Sequence, residues 1–256
     1  PLWSRGLGDV YKRQGQPAVA LTDLSNLFGL IKFYKGARGA GVKPIAGADV
    51  WLTNDEDPAK PFRVLLLVRN HQGYLNLCEL LSRSFLTNQG KGRAEIRREW
   101  LQGQEGLIVL SGGRGGDVGQ ALDAGNAVSA LALARQWALM FPGSYYIELQ
   151  RAGMDGDEAY TQAAMRLAAE AGLPVVATHP VQFLDEYEFQ AHEARVCIAE
   201  GEILANPRRV RRFTKEQYLL SSEEMARRFA DVPSALANTV ETVSYTHLRA
   251  HETRED

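Results

Sequence analysis

Residues 18–52, AVALTDLSNLFGLIKFYKGARGAGVKPIAGADVWL, decide how the rest of the chain is read. Residues 18–21 are a short apolar run containing the β-branched Val19, the signature of a strand. Residues 26–40 follow with Leu27, Leu30, Ile31 and Tyr34 at the i, i+3, i+4 and i+7 spacing of an amphipathic helix. Gly39 and Gly41 end that helix, and Lys43-Pro44 forces the chain extended into a second strand that reaches Leu52. The unit reads as strand, helix, strand. Thr22, Asp23 and Ser25 stand where the first strand hands over to the helix, so Asp23 serves the helix start, and Ser25 or Asn26 is placed to cap it. In parallel α/β architectures the carboxyl ends of the strands form the active face, which puts Asp23 and Asp49 where chemistry is expected.

The same alternation continues. Residues 53–61 are polar with two prolines and read as a loop, whereas 63–68 form a near-continuous apolar run of the kind covered on both faces in a parallel sheet. A helix over 72–86 is followed by a short helix over 95–104, a strand over 107–110 and helices over 118–124 and 127–141. A strand over 145–149, a helix over 157–171 and a strand over 175–178 complete the pattern, which predicts a parallel α/β barrel. Segment 111–119, SGGRGGDVG, joins a strand to a helix. Backbone N–H groups at such a turn bind anions, yet neither the Walker nor the dinucleotide spacing is present, so a tight turn is the plainer reading.

Composition narrows the function classes. The formal charge is −2, and the terminal segments 1–14 and 244–256 carry +2 and −1 of it, leaving −3 for the body. An acidic body offers no electrostatic footprint for nucleic acid. Arg208, Arg209, Arg211, Arg212 and Lys215 form the one basic cluster, and nearby glutamates make it an ion-paired surface. Cys78 and Cys197 read as two buried free thiols of a reducing compartment. No apolar run approaches the ~20 residues that span a bilayer, and the expected location is cytoplasmic. Segments 1–14 and 244–256 do not continue the hydrophobic period beside them and are similar to translated sequencing-adapter read-through, so the domain is drawn as 15–243. His247 and His251, four apart like a metal pair on a helix, fall in the second segment and are set aside with it.

Three blocks carry a resemblance: ALTDLSNLFG through GADV in the opening unit, LPVVATHPVQFLDEYEFQAHEARVCIAEGEIL at 173–204, and FTKEQYLLSSEEMARRFADVPSALANTV at 213–240. In collinear order over residues 16–243 they resemble the PHP (polymerase and histidinol phosphatase) domain at the amino end of bacterial DNA polymerase III alpha subunits. The resemblance implies a distorted (β/α)7 barrel of the α/β class. Such relatives open with a strand bearing His-x-His and a helix, which are absent here, so the barrel is expected to lack its first strand-helix unit. In members that hold metal, His, Asp and Glu at strand ends bind two or three divalent ions whose water attacks a phosphoester. By that pattern, Leu24 stands where the Asp-His pair begun by Asp23 has its His. Asp49 replaces a Glu, Gly113 replaces a common Cys, and Pro180 and Gln182 replace the closing Asp-x-His. Asp23 and Asp49 are then vestigial ligand positions. His179 reads as a strand-end rim residue and His192 as a packing residue.

The implied function is that of a non-catalytic PHP domain of the replicative polymerase alpha subunit, with no metal or cofactor in this fragment. The parent protein would be the DNA-directed DNA polymerase, its magnesium held in a catalytic domain beyond residue 256. The implied partners are the rest of the alpha subunit and the proofreading exonuclease subunit epsilon within the replicase holoenzyme, with no nucleic acid or membrane contact by this part. The rival reading is an active metal-dependent PHP phosphoesterase or exonuclease, which requires Asp-His at 23–24 and Asp-x-His at 180–182.

Overall fold

A computed structural model describes residues 16–90, 92–206 and 208–246. The strands among them are β1 (Ala18–Leu21), β2 (Lys43–Leu52), β3 (Phe62–Val68), β4 (Gln89–Gly90), β5 (Arg93–Ile96), β6 (Leu107–Leu110), β7 (Tyr145–Gln150) and β8 (Val175–Thr178). The α-helices are α1 (Leu30–Gly39), α2 (His71–Thr87), α3 (Asp117–Asp123), α4 (Ala127–Met140), α5 (Asp157–Ala171), α6 (Phe189–Glu200), α7 (Ser222–Arg228) and α8 (Pro233–Tyr245). The sheet runs β4-β5-β2-β3-β6-β7-β8, with β1 also on β2, giving a mixed α/β, barrel-like domain.

Four features differ from the sequence reading. First, β3 is antiparallel to both β2 and β6, while the pairs β1·β2, β2·β5, β6·β7 and β7·β8 are parallel. A parallel return needs a crossover of a dozen residues or more, usually a helix, and the loop after Leu52 has neither the length nor a helix. Second, the helix expected over 95–104 is the strand β5 followed by a 3-10 turn, Arg98–Leu101. Ala94 and Ile96 are buried while Arg93 and Glu95 are half-exposed, a period of two. Third, α1 starts at Leu30 rather than 26, and neither Ser25 nor Asn26 caps it. Asn26 instead accepts from Phe28 N–H at 3.0 Å and donates to the Leu24 carbonyl at 2.9 Å, a local turn that competes with helix. Fourth, α8 continues through Ser244 and Tyr245, past the boundary drawn at 243. The Arg69 guanidinium lies 5.5 Å from the Tyr245 ring centroid, and Thr246 is buried. Segment 1–14, His247 and His251 lie outside the described residues.

Apolar side chains cover both faces of the sheet. The larger core joins Val50, Leu52, Leu66, Ile147 and Leu149 to the inward stripes of the helices, among them Leu77, Leu80 and Trp137. Each large aliphatic side chain so buried contributes about 1.5–3 kcal/mol. The opposite face is a smaller layer of Ile45, Leu67, Ile108, Leu110, Tyr146 and Val176, with Val243 of α8 packed against it. Cys197 is buried and Cys78 only half-buried, and both are free thiols. No helix among the described residues is long and apolar enough to cross a membrane.

Among the described residues β8 pairs only with β7, so alternate β8 carbonyls point away from the ladder. Helix α8 meets them with side chains: Asn238 donates to the Val175 carbonyl at 2.7 Å, and Thr239 donates to the Ala177 carbonyl at 2.9 Å. Lys43 Nζ of β2 donates to the Val243 carbonyl at 2.6 Å, so the same helix also touches the far side of the sheet. Asn238→Ala is expected to lower stability by about 1–3 kcal/mol, because a carbonyl at a covered edge loses its donor. Urea midpoints of wild type and variant with equal slopes measure it; an unchanged midpoint means water serves that edge equally well.

Candidate functional site

The carboxyl ends of β1 and β2 are joined through main chain. Ser25 N–H donates to the Asp49 carbonyl at 2.7 Å, and Asp49 N–H donates to the Asp23 carbonyl at 3.2 Å. Ser25 takes φ 54°, in the left-handed region, to make that turn. Asp23 and Asp49 are thereby neighbours in space. The Asp23 carboxylate accepts from the N–H of Gly29, the residue that caps α1, while burial pushes its pKa above the ordinary value.

Asp49 has a different partner. Arg63, diagonally across the β2·β3 pair, donates through Nε to Asp49 Oδ1 at 2.8 Å and through its terminal nitrogen to Oδ2, a bidentate pair. Its guanidinium lies 4.6 Å from the ring centroid of Trp51, which stands directly opposite Arg63 in the register. A cation–π contact and a carboxylate together fix this one cation.

Behind the pair lies Glu148 of β7, which is buried. Its carboxylate accepts from the Thr178 hydroxyl of β8, from Gln150 Nε2 at 3.0 Å and from Gly112 N–H. Its own N–H donates to Ser111 Oγ at 2.9 Å, and Tyr160 of α5 donates to its carbonyl at 3.2 Å. Burial pushes the Glu148 carboxyl up, the hydrogen bonds from Thr178 and Gln150 pull it down, and the charge of Asp49 adds to the rise.

The glycine-rich turn closes this network. Gly112 has φ 77°, and a Cβ there would lie 2.1 Å from the Arg63 carbonyl oxygen, so only glycine lets the turn reach β3. A Cβ on Gly113, at φ 55°, would lie 3.0 Å from Gln150 Oε1. The space a larger side chain would need at 113 is filled by Gln150.

The remaining positions point elsewhere. His179 Nε2 lies 2.8 Å from the Glu216 carbonyl, and burial lowers the ring's pKa. His192 packs between Phe183 and Phe213, with ring centroids 5.4 and 4.8 Å away. Gln182 N–H donates to the Gln217 carbonyl, and Pro180 accepts from the Gln217 side chain. Arg209 and Arg212 of the basic cluster pair with Glu193 and Glu200 of α6.

These side chains do not fit a divalent ion. Leu24, Gly113 and Pro180 bring no side-chain donor, Asp49 is neutralised by a guanidinium, and Glu148 is surrounded by donors. Among the described residues no group of three or more His, Cys, Asp or Glu side chains comes together to hold a metal. Arg63 and Glu148 are the site residues that periodicity passes over. Their one signal is a charged residue inside a mostly apolar strand, FRVLLLV and YYIELQ.

The sequence model of the PHP domain matches residues 7–152. The chain belongs to the PHP domain family. It is 50% identical over 229 residues to DNA polymerase III subunit alpha of Pseudomonas fluorescens, which is 89% of this chain and 19% of that protein. The subunit of Neisseria meningitidis serogroup A is 48% identical over 241 residues, 91% of this chain and 21% of the relative. That of Escherichia coli is 46% identical over 228 residues, 89% and 20%. The chain thus spans 19–21% of the length of these relatives.

Two measurements probe the network. Arg63→Ala should cost about 1–3 kcal/mol by leaving Asp49 without its counter-charge. In the Arg63→Ala background Asp49→Ala should then cost far less than it does alone; additive losses in the double-mutant cycle would mean the pair is not coupled. For Glu148 the folded-state pKa is raised above the ordinary 4.5. Its contribution to stability is therefore present below that value and lost as pH rises through the folded pKa. Stability of Glu148→Gln relative to wild type should climb as pH rises above the ordinary 4.5, and a flat difference overturns the assignment.

Proposed function

We propose that this chain is the PHP region of a DNA polymerase III alpha subunit whose metal centre has been replaced by an internal ion pair. Its role is structural: it supports the polymerase body and serves as the docking surface for the separate proofreading exonuclease subunit. The observation that carries the reading is the Arg63 guanidinium held on Asp49 and Trp51. A resident, permanently charged cation there supplies the compensation that a metal supplies in members with converging ligands. The identity of 46–50% to polymerase alpha subunits supports the assignment of the parent protein. Primer extension belongs to the remainder of that longer polypeptide, and phosphoester hydrolysis is not expected of this domain.

Metal analysis of the full-length polypeptide after dialysis, paired with a phosphodiester hydrolysis assay of a polymerase-inactive version, tests the reading. The expected result is no stoichiometric zinc, manganese or iron attributable to this domain, and hydrolysis at the level of buffer. One or more tightly held ions per chain, with turnover abolished by Asp49→Asn, would establish the rival phosphoesterase.

A further inference from the structure

Nine buried side-chain nitrogen and oxygen atoms among the described residues lack a hydrogen-bond partner, and four of them gather at one contact: both ring nitrogens of His192, Glu193 Oε1 and Arg209 Nε. Buried polar atoms are nearly always paired, so four unpaired ones in one place mark a joint that opens easily. The joint holds a long connection. Between Glu200, the end of α6, and Ser222, the start of α7, no helix or strand forms among the described residues, which is uncommon in a compact domain.

The two halves of this connection are fastened differently. In the second half, Thr214 donates to the Ala152 carbonyl, the Gln217 side chain to the Pro180 carbonyl and Leu219 N–H to the Phe183 carbonyl. In the first half, residues 203–213, the polar and ring contacts to other elements among the described residues all go to α6: Arg209 with Glu193, Arg212 with Glu200, and Phe213 against His192. The Arg212 pair lies at the surface, where an ion pair contributes little. The Arg209 pair is dehydrated, with side chains 7% and 3% exposed, and its two unpartnered atoms leave the cost of dehydration incompletely offset. The seating of Phe213 on His192 therefore decides whether the segment stays down.

The His192 ring lies between Phe213 of this segment and the buried Phe183, with centroids 4.8 and 5.4 Å away. A proton there puts a charge and a second N–H between two hydrocarbon rings, with no acceptor for either N–H. Burial first, and the Arg195 guanidinium one turn along α6 second, hold the ring's pKa below its ordinary 6.5. Glu193 favours the charged ring but is committed to Arg209. The other elements bring no free counter-charge: Asp185 and Glu188, near Phe183 in sequence, close a capping box, Glu186 acts on Tyr218, and residues 203–213 carry only the cations Arg208, Arg209, Arg211 and Arg212. Once the segment lifts, water can solvate the imidazolium.

We propose that residues 203–213 form a proton-controlled strap, closed over α6 on a neutral His192 and released when that ring is charged. The sign follows from linkage: the open state takes up a proton that the closed state resists, so closure is favoured above the ordinary 6.5 and is lost as pH falls below it. The strap is independent of the docking role proposed above.

Hydrogen exchange of the full-length polypeptide, followed by mass spectrometry over a pH series and corrected for the intrinsic exchange rate, tests this. Peptides from 203–213 should open more as pH falls below 6.5, by at most about tenfold per pH unit, the slope of one proton, while β7 peptides stay protected. His192→Phe keeps a ring in the clamp without a titrating group and should remove the pH dependence. Arg195→Glu, at an exposed position, removes the opposing charge and should shrink the extent of acid opening. Wild-type strap protection that is constant across the series, or a loss shared equally by β7, overturns the proposal. So does an unchanged pH dependence in a His192→Phe variant whose β7 peptides stay protected. Should that variant lose β7 protection, Arg195→Glu decides, and an extent of opening equal to wild type overturns the strap.

Discussion

The fold depends on saturating the main-chain groups of β2, a ten-residue strand in which Ala48, Val50 and Leu52 have no exposed surface. Buried N–H and C=O groups must all find partners. One edge of β2 is met by β3 through an antiparallel ladder. The other edge is shared: β1 pairs with its first half, β5 with its last two residues, and the turn at residues 23–25 fills the interval at Asp49. That filling brings Asp23, Leu24 and Asp49 together. The site is assembled by the hydrogen-bond demand of a strand, and its side chains then follow their own chemistry.

The side chains gathered at these strands pair with one another. Asp49 faces a guanidinium, Glu148 faces hydroxyl, amide and backbone donors, and Gln150 fills the space beside Gly113. Apart from the Glu148–Gln150 bond within β7, these contacts tie β2 to β3, and β7 to β8 and to the turn after β6. A polar network at strand ends of this kind specifies register, because a slip of one residue would strand a charge in an apolar layer. The donors present at these positions serve internal pairing.

Local periodicity read well where one element's own residues decide its state. β1, α5 and β8 run over the expected residues because their apolar spacing is regular and their ends carry glycine or proline signals. The direction of β3 was not legible in its apolar run, since an apolar strand looks the same in either direction and only the helix-free loop before it distinguishes them. β5 was misread because four residues with charged outward positions, RAEI, are too short for a period to stand out. Asp23 and Asp49 are picked out by the family pattern. Arg63 and Glu148 were not, because their partners come from other strands and a pattern within one strand cannot name them.

Helix α8 closes a span that no described strand bridges. It is bonded to β8 through Asn238 and Thr239 and to the start of β2 through the bond from Lys43 to the Val243 carbonyl. One helix thus serves polar groups of both β2, which carries Asp49, and β8, which carries Thr178, so a change that unseats it leaves polar groups on both strands without these partners.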